Sequence, residues 1–268
     1  MAANLASFKA DLWESAILEE FKGICVADVI TIAPSRVDGV KAIWNRASLV
    51  NEAGKIQDYK GSVVYDDVQT TPTELLFDTK KYFAYKIDDV EEVQLVGDVM
   101  GPIARQMAYD LKRLIDGSVI AEAVAEGEEV IAALDAKVAA NVYDAIVDLG
   151  TALDEKDVPE EGRFVLARPE LVNILAKDVR LIDNAQVLSN GIVQGMQING
   201  MQVVKSTAVP AGQIVCLHNT AVGYGKQLEK LEALRLEGSF SDAVRGLLVY
   251  GVKALRPEAI VTAKYSLE

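Results

Sequence analysis

The 268-residue sequence is poor in the residues that most chemistry needs. It holds one histidine, His218, at the end of an apolar stretch, and no G-x-S-x-G elbow that would present a nucleophile to it. Its two cysteines, Cys25 and Cys216, lie far apart in apolar surroundings. That excludes a metal-type spacing and points to buried free thiols rather than a disulfide. No apolar run approaches the ~20 residues of a membrane span. The first residues, MAANLASFKADLWESAILEEF, lack the basic start and unbroken apolar centre of a signal peptide, so a soluble chain made in the cytoplasm is expected. Basic residues are outnumbered, 27 against 40 acidic, and the net charge of −13 repels nucleic acid rather than gripping it.

Two segments imitate binding motifs. NGIVQGMQINGMQVVKSTAVP (190–210) spaces Gly195 and Gly200 like a phosphate loop, but Met201 and Gln202 stand where Lys and Ser/Thr would have to be. Asn199-Gly200 is instead the favoured pair for a two-residue hairpin turn, because both positions accept φ > 0. GYGK (223–226) reads as a short glycine loop without the rest of a dinucleotide motif. Asp88, Asp89, Glu91 and Glu92 form an acidic cluster that lacks a calcium-loop pattern, and Asp66-Asp67 is a similar solvated pair. No catalytic, cofactor-binding or metal-binding residue is assigned.

What is present is a series of elements. Residues 4–21 are amphipathic, with Leu5, Phe8, Leu12, Ile17, Leu18 and Phe21 near one face of a predicted helix and Trp13 suited to it. VADVITIAP (26–34) is predicted as a strand. Residues 35–73 keep no helical period. Strand-like VKAIWNRASLV (40–50) and YKGSVVYDDV (59–68) flank the turn NEAGK (51–55), which predicts a long β-hairpin arm with Trp44 as an intersubunit anchor. A β-rich stretch over 73–94 breaks at Asp78–Lys81. Beyond Asp98, a possible cap, Val96, Met100, Ile103, Met107, Leu111, Leu114, Ile115, Val119 and Ala123 recur at helical spacing up to Gly127. That predicts a helix of about 25–28 residues, a rod near 40 Å. A helix over 138–153, the turn DEKDVPEEG (154–162) connecting it to a strand over 163–167, a helix over 168–178 opened by Pro169, a buried strand over 213–218, and strands or mixed structure over 230–238, 242–255 and 259–266 complete the chain.

In that order the elements resemble the major capsid protein of tailed phages, the Hong Kong 97-type fold. The resemblance rests on SVVYDDVQTTPTELLFDTKKYFAYKIDDVEEVQ (62–94), PIARQMAYDLKRLIDGSVIAEA (102–123), FVLARPELVNILAKD (164–178) and LSNGIVQGMQINGMQVVKSTAVP (188–210), and it runs over about residues 1–265. It implies an α+β fold with an N-terminal arm (1–34), an extended loop (36–76), a peripheral domain with a spine helix (77–134 and 251–268) and an axial domain (135–250). It further implies a non-enzymatic shell protein of the virion, assembled in the host cytoplasm as hexamers and pentamers around phage DNA, without cofactor or membrane. Scaffolding, portal and decoration proteins are the other partners it admits. Lys41, Lys55 and Lys60 lie on the loop that carries an intersubunit crosslink in some members, and no such bond is assigned. Three alternatives stay open: an encapsulin-like nanocompartment shell, a cytosolic α/β enzyme with an acidic metal site near Asp88–Glu92, and a phage structural accessory of this fold that does not build the main shell.

Overall fold

The computed structural model describes residues 26–34, 36–38, 41–49, 68–88, 100–178, 186–187, 192–236, 238 and 241–267. In chain order its elements are α1 (Ala27–Ile30), β1 (Arg36–Asp38), β2 (Lys41–Leu49), β3 (Val68–Leu76), β4 (Thr79–Asp88), α2 (Met100–Glu126), β5 (Glu128–Asp135) and α3 (Ala139–Asp154). Then come β6 (Arg163–Ala167), α4 (Pro169–Leu175), β7 (Gln186–Val187), β8 (Ile192–Ile198), β9 (Met201–Lys205), β10 (Gln213–His218), β11 (Val222–Arg235), β12 (Ser241–Ala254), a 3-10 turn (Pro257–Ala259) and β13 (Ile260–Ser266). The predicted helix over 4–21, Trp13, Cys25, the turn 51–55 and Asp98 lie outside the described residues.

The described strands make three sheets, in the orders β1-β2-β3, β5-β13-β10-β6-β9-β8-β7 and β11-β12-β4. The largest is mixed: β5 and β13 are parallel, as are β6 and β9, and its other pairings are antiparallel. Ile214–His218 of β10 are buried without alternation. A strand buried on both faces needs a layer on each side, and the helices α2, α3 and α4 supply residues to the same core. Apolar side chains spaced three and four apart on α3, among them Val142, Ile146, Leu149 and Leu153, form its buried stripe. The Asn199-Gly200 turn has the expected left-handed backbone, φ 48° and 74°, which sets β8 against β9 in register.

Helix α2 has 27 residues and belongs to two neighbourhoods. Toward its C-terminus Ile115, Val119, Ile120 and Ala123 enter the main core. On another face the Ser118 hydroxyl lies 3.0 Å from that of Tyr250, and Glu122 accepts the Ala254 N–H at 3.1 Å, tying the helix to β12. The helix passes into β5 across Gly127 alone. A Cβ at Gly127 would sit 2.7 Å from the Ala123 carbonyl oxygen and 2.8 Å from Ile260, so glycine is required by close approach.

Two expectations are corrected. VADVITIAP is not a strand: Ala27–Ile30 is one helical turn, and Ile32 alone makes a bridge, to Gly223. The reason is tertiary, since buried Asp116 of α2 accepts the Ala27 N–H at 2.9 Å and holds the turn's free donor. The GYGK segment is not a loop but the start of β11. In the sheets, residue 250 falls inside β12, which pairs with β11 on one side and β4 on the other, and β13 pairs with β10. Strand β5 has no counterpart in the sequence reading.

Candidate functional site

The β2–β3 hairpin is seated on the β11–β12–β4 sheet by glycines. A side chain at Gly223 would meet the Trp44 ring at 2.9 Å, and one at Gly225 would meet Phe77 at 2.5 Å. At Gly251 it would collide with the Leu76 carbonyl oxygen. These three positions make a shallow trough into which Ala42, Trp44, Leu75 and Phe77 pack with Val249 as a small core of their own. Glycine in a strand interior is unfavourable by itself, and close approach of another segment is the usual reason for it. Lys253 adds a hydrogen bond to the Glu74 carbonyl, 3.2 Å, and Lys41 pairs with Glu74 at 2.6 Å.

Trp44 therefore differs from expectation. It is 7% exposed and is an anchor within its own chain, with an Nε1–H that finds no acceptor among the described residues. The glycine spacing 223/225 was the available signal for this seat, and it was read as a loop. From Trp44 the strand continues to Leu49, paired with Val68, so about 17 Å of hairpin extends past the seat.

The residues singled out for chemistry have structural work. His218 is buried, with Nε2–H donating to the Glu161 carbonyl at 2.9 Å. Its Nδ1 accepts from the Thr220 N–H at 3.2 Å and lies 2.8 Å from the Thr220 hydroxyl. A carbonyl can only accept, so the proton sits on Nε2 and the ring is neutral. Burial lowers the His218 pKa, the Glu161 carbonyl opposes this, and Arg256 and Arg163 lower it further. Cys216 is buried and free, and burial pushes its thiol up. Asp88 ends β4, while Asp66, Asp67, Asp89, Glu91, Glu92, Lys55 and Lys60 lie outside the described residues. Among the described residues no three His, Cys, Asp or Glu side chains gather as a metal site, and no helix is long and apolar enough to cross a membrane.

A second feature is the turn between α3 and β6, which sequence reasoning treated as a mere connection. Arg163, 2% exposed, reaches back into it. Its Nε donates to the Pro159 carbonyl at 2.9 Å, Nη2 donates to the Val158 carbonyl, and Nη1 meets Asp154 at 2.7 Å. The Asn219 N–H donates to the Gly162 carbonyl at 3.0 Å. With His218 on Glu161, the turn is fixed from inside.

A seated hairpin, a long helix shared by two sheets and a braced surface turn make a scaffold. A family model described as phage capsid protein matches residues 72–263. The chain belongs to the phage capsid protein family. It is a structural subunit of the virion, one that forms the icosahedral shell. Among solved structures, this capsid protein is similar to a chain of a structure described as Mycobacterium phage Che8, with 26% identity, a TM-score of 0.66, and 86% of this chain and 85% of that chain covered. The capsid of cyanophage P-SCSP1u has 16% identity and a TM-score of 0.67, with 92% and 89% covered. The virus-like particle from Pyrococcus furiosus has 17% identity and a TM-score of 0.60, with 94% and 98% covered. The last two likenesses are of fold alone. No curated protein matches by sequence.

Proposed function

We propose that the capsid subunit assembles into rings of five and six copies that close a shell around phage DNA, and that its β2–β3 hairpin reaches over a neighbouring copy. The supporting observation is the hairpin itself, fixed to the body at its root and continuing past that seat as paired strand. We read α2, β4, β11 and β12 as the peripheral unit, and the seven-stranded sheet with α3 and α4 as the axial unit. The subunit is read as non-enzymatic, a view favoured by the full engagement of both His218 nitrogens. A chain of net charge −13 suits a wall against which DNA lies without adhering.

Electron microscopy of the purified full chain, with nuclease digestion of particles from infected cells, tests both parts. Closed shells and rings of five and six, with protected DNA inside, are expected. A monomer or dimer at every salt concentration would overturn the assembly reading. Particles filled with protein and free of DNA would overturn the cargo reading.

A further inference from the structure

Shell subunits repeat by heterologous contacts, in which one patch of a copy fits a different patch of the next. Two unexplained patches of this chain have opposite charge. The first is the braced turn. It displays Glu155, Asp157, Glu160 and Glu161, all exposed, and none of these carboxylates makes an ion pair or hydrogen bond among the described residues. Here Arg163 and His218 fix the backbone from which the acids project. A backbone fixed in advance lowers the ordering cost of a contact.

The second patch is the outer edge of the β11–β12–β4 sheet. Strand β4 reads Thr79-Lys-Lys-Tyr-Phe-Ala-Tyr-Lys-Ile-Asp88 and is one of the sheet's two edge strands among the described residues. Lys80, Lys81 and Lys86 are exposed, and no ion pair to them exists among the described residues. Tyr82 is 82% exposed. Between β4 and α2 lies a cavity of about 140 Å³ lined by Lys81, Tyr82, Phe83, Tyr85, Asp110 and Leu111, among others. Arg113, exposed and likewise without an ion pair, stands one helical turn from Asp110. Asp110, the one carboxylate in this lining, accepts from Gln106 at 3.1 Å. On a chain of net charge −13, three exposed lysines on one edge strand, without ion pairs among the described residues and beside exposed aromatic rings, are a local concentration of positive charge between Asp78 and Asp88.

We infer that the acidic turn of one copy, residues 155–161, docks on the β4 edge of a neighbouring copy, with Glu160 and Glu161 meeting Lys80 and Lys81 beside Tyr82. Complementary charge argues for a second copy as the occupant. Edge lysines alone would serve to repel stray strands, but they would not account for the braced acidic turn. The inference rests on the shell-forming role of the subunit.

The test is charge reversal and its repair, with particle yield measured at low salt and folding checked by circular dichroism. Glu160→Lys with Glu161→Lys, and separately Lys80→Glu with Lys81→Glu, should each lower the yield roughly tenfold or more, since like charges then face each other. The four changes together should restore it. Either reversed pair assembling as well as the parent overturns the contact, and so does a quadruple variant that folds and fails to assemble. If a reversal fails to fold, Glu160→Cys with Lys81→Cys decides the matter. Oxidised particles should then give a ladder of covalently linked copies, and the absence of a ladder from intact particles overturns the contact. A parent chain that never forms particles would count against the shell reading and not against this contact.

Discussion

The two halves of the subunit bury their residues differently. In the seven-stranded sheet, β6 and β10 are covered on both faces, and the side chains of three helices meet theirs in one continuous core. In the sheet of β11, β12 and β4, one strand carries exposed Tyr82, and the hairpin above it is held by a cluster of five residues. The first half draws its core from strands and helices of both its faces. The second has one face on α2, another partly under the hairpin, and in β4 an edge strand that pairs with no further strand among the described residues. The two halves share a single helix.

Four measurements can break that contrast or sharpen it. Leu149→Ala removes a fully buried side chain from α3 and should cost about 3–5 kcal/mol in urea unfolding of the dissociated subunit. A loss below about 1 kcal/mol would mean that the main core is not the rigid half. Arg163→Met leaves the Val158 and Pro159 carbonyls without their donor and should cost about 2–3 kcal/mol, with the turn 155–161 opening first in hydrogen exchange. Unchanged protection there would show that the turn is not braced.

Gly225→Val drives a side chain into Phe77 and should cost about 1–3 kcal/mol. Its effect should appear as protease cleavage in β2–β3 while β10 stays protected. Equal loosening of both regions would abolish the distinction between the halves. The smallest effect is pH-dependent. Since the folded pKa of His218 is lowered, the unfolded chain takes up the proton first. Its contribution is complete above about pH 6.5 and is lost as pH falls through the lower folded value. Stability measured from pH 7 to 5 should decline more in the parent than in His218→Gln, and parallel curves would remove the attribution.

Elements with a strong period of their own were legible in the sequence. Helices α2 and α3 announce themselves by three- and four-residue apolar steps, and β10 by an unbroken apolar run. The β8–β9 turn is marked by Asn199-Gly200. What failed depends on partners distant in the chain. Helix α1 is set by Asp116, 89 residues on, and β5, exposed along much of its length, exists by pairing with β13 at the other end of the chain. The glycines of GYGK looked like a loop because their purpose lies in the rings of Trp44 and Phe77. Trp44 was placed correctly on the hairpin and assigned to the wrong neighbour, since its burial is satisfied by glycines no local pattern reveals. The acidic turn was read as a connection because the Arg163 and His218 bonds beneath it are tertiary.

The passage of α2 into β5 across Gly127 alone carries a mechanical consequence. A helix of 27 residues is about 40 Å long, and here no slack loop separates it from the central sheet. That glycine lies against the Ala123 carbonyl and Ile260, and the adjoining helical turns are embedded in the main core, so the rod cannot pivot by itself. A load on either end of it passes directly into the central sheet.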